Sequence, residues 1–408
     1  MPYFKEIQEL AEQVSLWADL RHEQGARVAP EIQRITRDLV RARKRIERTA
    51  SPMRGHEPNS LAAIRRLRPK GPRKISNPVL RGDFPDRLRG AWLGRAAGCT
   101  LGVPVESWSV EDMEELAKLG NQPFPPVDYW AIHTKQNIVH HNVKRIKDYL
   151  AGHITEVPVD DDLGYTQLGL LILERYGLDF STANVAEMWL KHIPIAWTAE
   201  EVTLRNLKAG IAPAKAGGTG NPYQEWIGAD IRSDPWGYAC AGWPERAAEF
   251  AYRDASLSHR GNGVYGAMFF AAAIAAAFVT EDPIAAIRVG LTEIPRECRL
   301  ANDVRWALRT APKLKSFRDA RGAVEKHFTG MHHVHTNNNA CLTIFGLALG
   351  RNDFTKTIGA CVAMGYDNDC TAATAGSIIG ATIGIRGIPP HWWKPFGNRA
   401  ATYLKGVR

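Results

Sequence analysis

The chain has 408 residues, 45% of them hydrophobic, and a formal net charge of +9, enough apolar material for one large domain or two ordinary ones. The charge is uneven: residues 1–80 carry 17 Lys+Arg against 9 Asp+Glu, and the remainder is close to neutral at +1. A near-neutral body argues against a broad nucleic-acid surface and confines that expectation, weakly, to a basic N-terminal arm.

In chain order, residues 4–24 and 28–49 have helical spacing, and the second carries Arg41, Arg43, Lys44, Arg45 and Arg48. The plain reading is a solvated helix face; an RNA- or partner-binding arm is the alternative. Residues 51–85, rich in Pro, Gly and Arg, read as a linker or draped loop, so the expected division is a basic helical extension over 1–85 and a body over 86–408. Within the body, helical periodicity predicts helices at 86–98, 162–176, 183–192, 244–256, 263–280, 297–311, 337–349, 353–363 and 370–384. The longest intervening loops are 104–160 and 210–243, and clear strand alternation is scarce. An all-α body with long, site-forming loops follows. The most apolar run, Met268 to Thr280, is too short to span a bilayer and reads as a buried helix, so no membrane role is expected. The six cysteines show no CxxC pairing and the first residues lack a signal-peptide core, which points to reduced thiols and a cytoplasmic protein.

Two glycine ridges stand out. Gly90, Gly94, Gly98 and Gly102 recur every four residues, as do Gly376, Gly380 and Gly384. Residues four apart share one helix face, and a face without side chains admits another backbone. The two helices should cross in the core, which would bring Glu106 near Asp367 and Asp369.

Acidic clusters open two of the predicted helices: Asp160-Asp161-Asp162 and Asp367-Asn368-Asp369. Packed carboxylates repel unless a cation or proton lies between them, so the two clusters read as halves of one divalent-metal site. The alternative is that they cap their helices and complement the helix dipoles.

Four motifs occur in order: Gly98-Cys99-Thr100-Leu101-Gly102-Val103-Pro104-Val105-Glu106; Val159-Asp160-Asp161-Asp162-Leu163-Gly164; Ser258-His259-Arg260-Gly261-Asn262 before an Ala-rich helix; and Gly365-Tyr366-Asp367-Asn368-Asp369-Cys370 running to Gly376. Their order and spacing resemble the ADP-ribosylglycohydrolase family, including its dinitrogenase-reductase-activating members, over about residues 86 to 390. The resemblance implies an orthogonal multi-helix all-α fold, a pair of Mg²⁺ ions and hydrolysis of an N-ribosyl bond. Carried over position by position, it implies Asp160, Asp161, Asp162, Asp367, Asp369 and Cys370 as metal ligands and Glu106, with Asp161, as the catalytic residues. The chain departs from the family pattern in three places. Cys99 stands for an Asp, Asp160 for the hydroxyl ligand before the Asp pair, and Cys370 for the last Thr. A thiol suits hard Mg²⁺ poorly, and so many acidic oxygens admit Mn²⁺ or Ca²⁺. The expected substrate is an ADP-ribosylated protein or a small ribosylated or NAD-derived metabolite, with a non-catalytic ADP-ribose binder as the alternative. His259, Asn262, Arg232 and Trp236 are the expected substrate contacts; His335 reads as structural or pocket-lining rather than as a metal ligand.

Overall fold

The computed structural model describes residues 3–76, 82–134, 139–140 and 144–407. The chain forms two compact units, one of Met1–Gly55 with Phe328–His332, the other of His56–His327 with His333–Arg408.

The first unit holds α1 (Lys5–Glu23) and α2 (Ala29–Glu47). α2 begins with Pro30 and Glu31 and ends with Lys44 and Arg45, an order that complements the helix dipole. No residue of either helix is buried, and the pairs Lys5–Glu9 and Arg34–Glu31 are solvent-exposed ladders of little energetic weight.

The second unit is all-α apart from a short antiparallel pair, Val139–His140 with Lys144–Arg145. Its helices are α3 (Leu61–Leu67), α4 (Phe84–Gly102), α5 (Val110–Leu119), α6 (Asp161–Tyr176), α7 (Thr182–His192), α8 (Thr198–Lys208), α9 (Pro213–Ala216), α10 (Asp234–Ala239), α11 (Pro244–Ala255), α12 (Asn262–Ala277), α13 (Pro283–Gly290), α14 (Arg299–Thr310), α15 (Phe317–His327), α16 (Thr336–Gly350), α17 (Phe354–Ala363) and α18 (Asn368–Ile383). α12, built of Ala, Gly and aromatics, is buried along its whole length and forms the axis of the core. No helix among the described residues is long and apolar enough to cross a membrane.

α4 and α18 run antiparallel, backbone against backbone. A Cβ on Gly90 would overlap Gly380 O, one on Gly94 would overlap Gly376 O, one on Gly98 would overlap Ala372 O, and one on Gly102 would overlap the Asp369 Cα. The ridges therefore do what their spacing predicts: they bring two helix axes together and set the C-terminal end of α4 beside the first turn of α18.

Residues 56–76 are integral to this second unit. Glu57 binds Arg299 at 2.9 Å and the Asn262 amide at 3.0 Å. Arg68 and Arg73 converge on the buried Glu293 at 2.5 and 2.7 Å. The segment read as a linker or draped loop thus carries a helix, α3, and clasps α12 and α14; its residues 77–81 lie outside the described set.

Candidate functional site

The two acidic clusters sit at helix starts that the α4–α18 crossing and α6 bring together. Asp160 is the N-cap of α6, and its Oδ1 accepts the Asp162 amide at 3.0 Å, while Asp161 and Asp162 occupy the first turn. Asp367 holds the N-cap position of α18 but makes no side-chain capping bond, which leaves its carboxylate to face elsewhere. Gly365 and Tyr366 take left-handed φ angles of +67° and +66° just before it, and Ser107 takes +63° just after Glu106. The Ser107 amide donates to Tyr366 O at 3.0 Å, tying the two turns together. Tyr366 and Ser107 adopt a backbone conformation that side chains disfavour, a strain that typically accompanies functional sites.

Three groups of potential ligand atoms result, each within 4.8 Å: Asp160, Asp161 and Asp162; Asp162, Asp369 and Cys370; and Glu106, Asp367 and Asp369. Residues more than 200 positions apart in the chain share the second group, and Asp369 belongs to both the second and the third. Glu106 and Asp161 are half-buried; the other members are buried.

The electrostatics suit a bound cation. Burial pushes the Asp162 carboxyl well above the usual range, Arg95 opposes this, and Asp369, Asp160 and Asp161 add to it. Burial, Asp369 and Glu106 raise Asp367 in the same way. Burial and the neighbouring Asp162, Asp367 and Asp369 raise the Cys370 thiol. Such groups ionise together only with a positive charge among them. Asp369 Oδ1 is buried and has no hydrogen-bond partner, a costly arrangement in the absence of a ligand. The donor set, mostly carboxylate oxygen plus one sulfur, fits a divalent cation.

Sequence reasoning passed over Arg95 as a site residue. It lies fully buried in α4, donates from Nη2 to Asp162 Oδ1 at 3.1 Å and to Ile231 O at 2.7 Å, and reaches Asp234 Oδ2 with Nη1 at 2.8 Å. An arginine inside a Gly/Ala-rich apolar helix was the available signal. Asn339 is a second omission: its Oδ1 accepts the Asp367 amide at 3.4 Å, and its Nδ2 donates to His333 O and His335 O. Asn368 anchors the same turn by donating to Val105 O and Val362 O.

The four expected substrate contacts all lie in the interior. Arg232 is buried, and its donors are spent on Asp254, Glu200, Gly228 O and Ser258 Oγ, with its plane against Trp189 and Tyr165. Trp236 is buried in α10, stacked on Phe180. His259 is buried with Nδ1 on Ser258 Oγ, and burial together with Arg232 and Arg260 pushes its pKa well below the ordinary value, so it is neutral. Asn262 is buried, with Oδ1 accepting Leu300 N and Nδ2 donating to Glu57 and Glu225. The 210–243 segment, read as a long loop, folds inward as a 3₁₀ turn (Ile227–Arg232) and α10, which places Arg232 and Trp236 in the core. His335 caps α16 by accepting the Asn337 amide at 3.1 Å and lies 3.5 Å from Glu225, a structural placement.

A family model described as ADP-ribosylglycohydrolase matches residues 80–405. The chain belongs to the ADP-ribosylglycohydrolase family. Membership carries the general activity of its hydrolases on ADP-ribosyl linkages, and the acidic clusters of this member are of a kind able to hold a metal ion. Among solved structures, one described as "ADP-ribosylglycohydrolase-related protein complex" shares the fold, with a TM-score of 0.52 and 19% identity over 76% of this chain and 92% of that chain. No curated protein matches the chain. The family match leaves out most of the N-terminal extension, including the Glu57 clasp.

Proposed function

We infer that the protein is a metal-dependent hydrolase of N-ribosyl bonds, acting on an ADP-ribosylated protein or a small ribosylated metabolite. The observation that carries this reading is the convergence of Asp162 with Asp369 and Cys370, and of Glu106 with Asp367 and Asp369. The two groups share Asp369 and suit a pair of cations, Mg²⁺ first, with Mn²⁺ or Ca²⁺ as substitutes.

Asp161, Asp162, Asp367 and Asp369 would hold the cations, with Asp160 and Cys370 completing the set. When bound, such ions supply positive charge that orients ribose hydroxyls and activates water. The chain's own contribution is positional and basic. Arg95 fixes one oxygen of Asp162 and leaves the other facing the cluster. Glu106, half-buried at the edge, orients the attacking water and accepts its proton as the oxocarbenium-like ribosyl carbon is attacked. Asp161, also half-buried, would serve the substrate side of the acidic cluster.

ADP-ribose release from an ADP-ribosylated substrate, measured with and without EDTA and in an Asp367→Ala/Asp369→Ala double variant, tests the reading. Turnover abolished by EDTA and by the double substitution is the expected result. Undiminished turnover in that variant would remove the mechanism, and ADP-ribose binding with no release under any metal would make the protein a binder.

A further inference from the structure

Cys370 places a sulfur inside the carboxylate cluster. Its Sγ lies with one oxygen each of Asp162 and Asp369 in a group whose atoms are all within 4.8 Å. The thiol donates to Asp162 Oδ2 at 3.2 Å, while Arg95 engages the other oxygen, Oδ1, at 3.1 Å. Asp369 belongs to the same group, and its Oδ1 is buried and has no hydrogen-bond partner. A carboxylate with a partnerless buried oxygen, a buried sulfur, and a third member held in place by an arginine together form a donor set that suits a cation.

The adjacent hydroxyl does not substitute for the sulfur. Thr371, next in sequence, turns its Oγ1 to Asn368 O at 3.4 Å and is fully buried. Asp160 uses Oδ1 to cap α6. The group that shares Asp369 with it, Glu106, Asp367 and Asp369, contains only oxygen donors. The centre therefore has two chemically unlike halves joined at Asp369.

We propose that the two halves select different metals: the all-oxygen half takes a hard ion of the magnesium class, and the Cys370 half takes a borderline-soft divalent ion of the zinc, cobalt or ferrous class through a Cys370 thiolate. The proposal rests on the metal-site reading above and deepens it. Magnesium demands oxygen and sheds its waters reluctantly, whereas sulfur ligation favours later first-row ions. Metallation breaks the S–H bond and leaves the sulfur electron pair on the cation; the proton passes by way of Asp162 Oδ2, its present acceptor, to solvent. No oxidation or reduction is involved.

Cobalt(II) reports the ligand directly. Full-length, metal-stripped protein is titrated anaerobically with Co²⁺ in a thiol-free buffer, and the visible ligand-field bands and the near-ultraviolet sulfur-to-cobalt charge-transfer band are followed. The expected result is both sets of bands in the wild type, loss of the charge-transfer band alone in Cys370→Thr, and its retention in Cys99→Ala, which controls for the other buried thiol near Asp160, Asp162 and Asp369. Ligand-field bands without charge transfer in the wild type overturn the proposal and leave the metal site standing; this arm needs no variant to fold. A charge-transfer band that survives in Cys370→Thr also overturns it. Failure to bind Co²⁺, Mn²⁺ or Mg²⁺ at all, by equilibrium dialysis, overturns the metal-site reading with it. Dialysis against equimolar Zn²⁺ and Mg²⁺ adds a second readout: zinc is retained by the wild type and lost from Cys370→Thr, and equal zinc content in the two contradicts the proposal.

Discussion

Arg95 Nη2 lies 3.1 Å from Asp162 Oδ1, with both side chains out of solvent, and the same guanidinium reaches Asp234 Oδ2 at 2.8 Å. The arginine joins α4, α6 and α10 and compensates charge that the core could not otherwise hold. Replacing it with Leu leaves two buried carboxylates unpaired, and the expected cost is about 3–5 kcal/mol in urea denaturation. An Arg95→Lys variant keeps the charge but loses the fork geometry, so it should recover only part of that loss. A change under about 1 kcal/mol in the Leu variant would contradict the role assigned to the pair.

The carboxylates of the cluster work against the fold when no cation is present. Asp367→Asn removes one of the mutually raised acids, so the metal-free protein should gain about 1–2 kcal/mol of stability while its response to divalent ions weakens. Thermal melts with EDTA and with Mn²⁺ check both parts. The wild type should melt higher with Mn²⁺, and the variant should show a smaller rise; an equal rise would contradict the role of Asp367.

The glycine crossing has a sharper test because a neutral control is available. Gly98→Ala drives a Cβ into Ala372 O and should cost about 1–3 kcal/mol or more. Gly322, exposed in α15, has no atom within 4 Å of a built Cβ, so Gly322→Ala should stabilise by roughly 0.5–1 kcal/mol. Similar effects at the two positions would contradict the close approach of α4 and α18.

The Glu225 carboxyl gives a pH signature. Burial raises it, but the hydrogen bond from His335, the charge of Arg299 and the Asn262 amide outweigh burial and hold it at about 2, against an ordinary value of 4.5. The folded pKa is depressed, so the contribution is complete above pH 4.5 and is lost as pH falls from there toward 2. Its size is up to about 3 kcal/mol. Denaturation of Glu225→Gln should show a shallower loss of stability across that window than the wild type; parallel profiles would contradict the assignment.

Much of the body was legible because its signals are local or strictly periodic. The ridges Gly90–Gly102 and Gly376–Gly384 predicted one particular crossing, and that crossing places Glu106 beside Asp367 and Asp369. The helices near 86, 162, 263 and 370 appear within a few residues of their expected limits, in keeping with the imprecision of helix ends. Short polar helices escaped. α5 lies inside the segment taken as the 104–160 loop, although Ser109 and Asp112 form its cap, and α10 lies inside the 210–243 loop. Partner choice was the harder problem. Nothing adjacent to Arg232 reveals that Glu200 and Asp254, from two other helices, will enclose it. Arg95 was overlooked for the converse reason: its partners Asp162 and Asp234 are distant in sequence, and only the folded chain brings them to one guanidinium.

The convergence of distant aspartates on shared cations is tested most directly by anomalous diffraction from crystals of the full-length protein soaked in Mn²⁺. The account predicts manganese peaks within coordination distance of Asp162 and Asp369 and of Asp367. Peaks confined to other acidic surfaces, or none at saturating Mn²⁺, would contradict it.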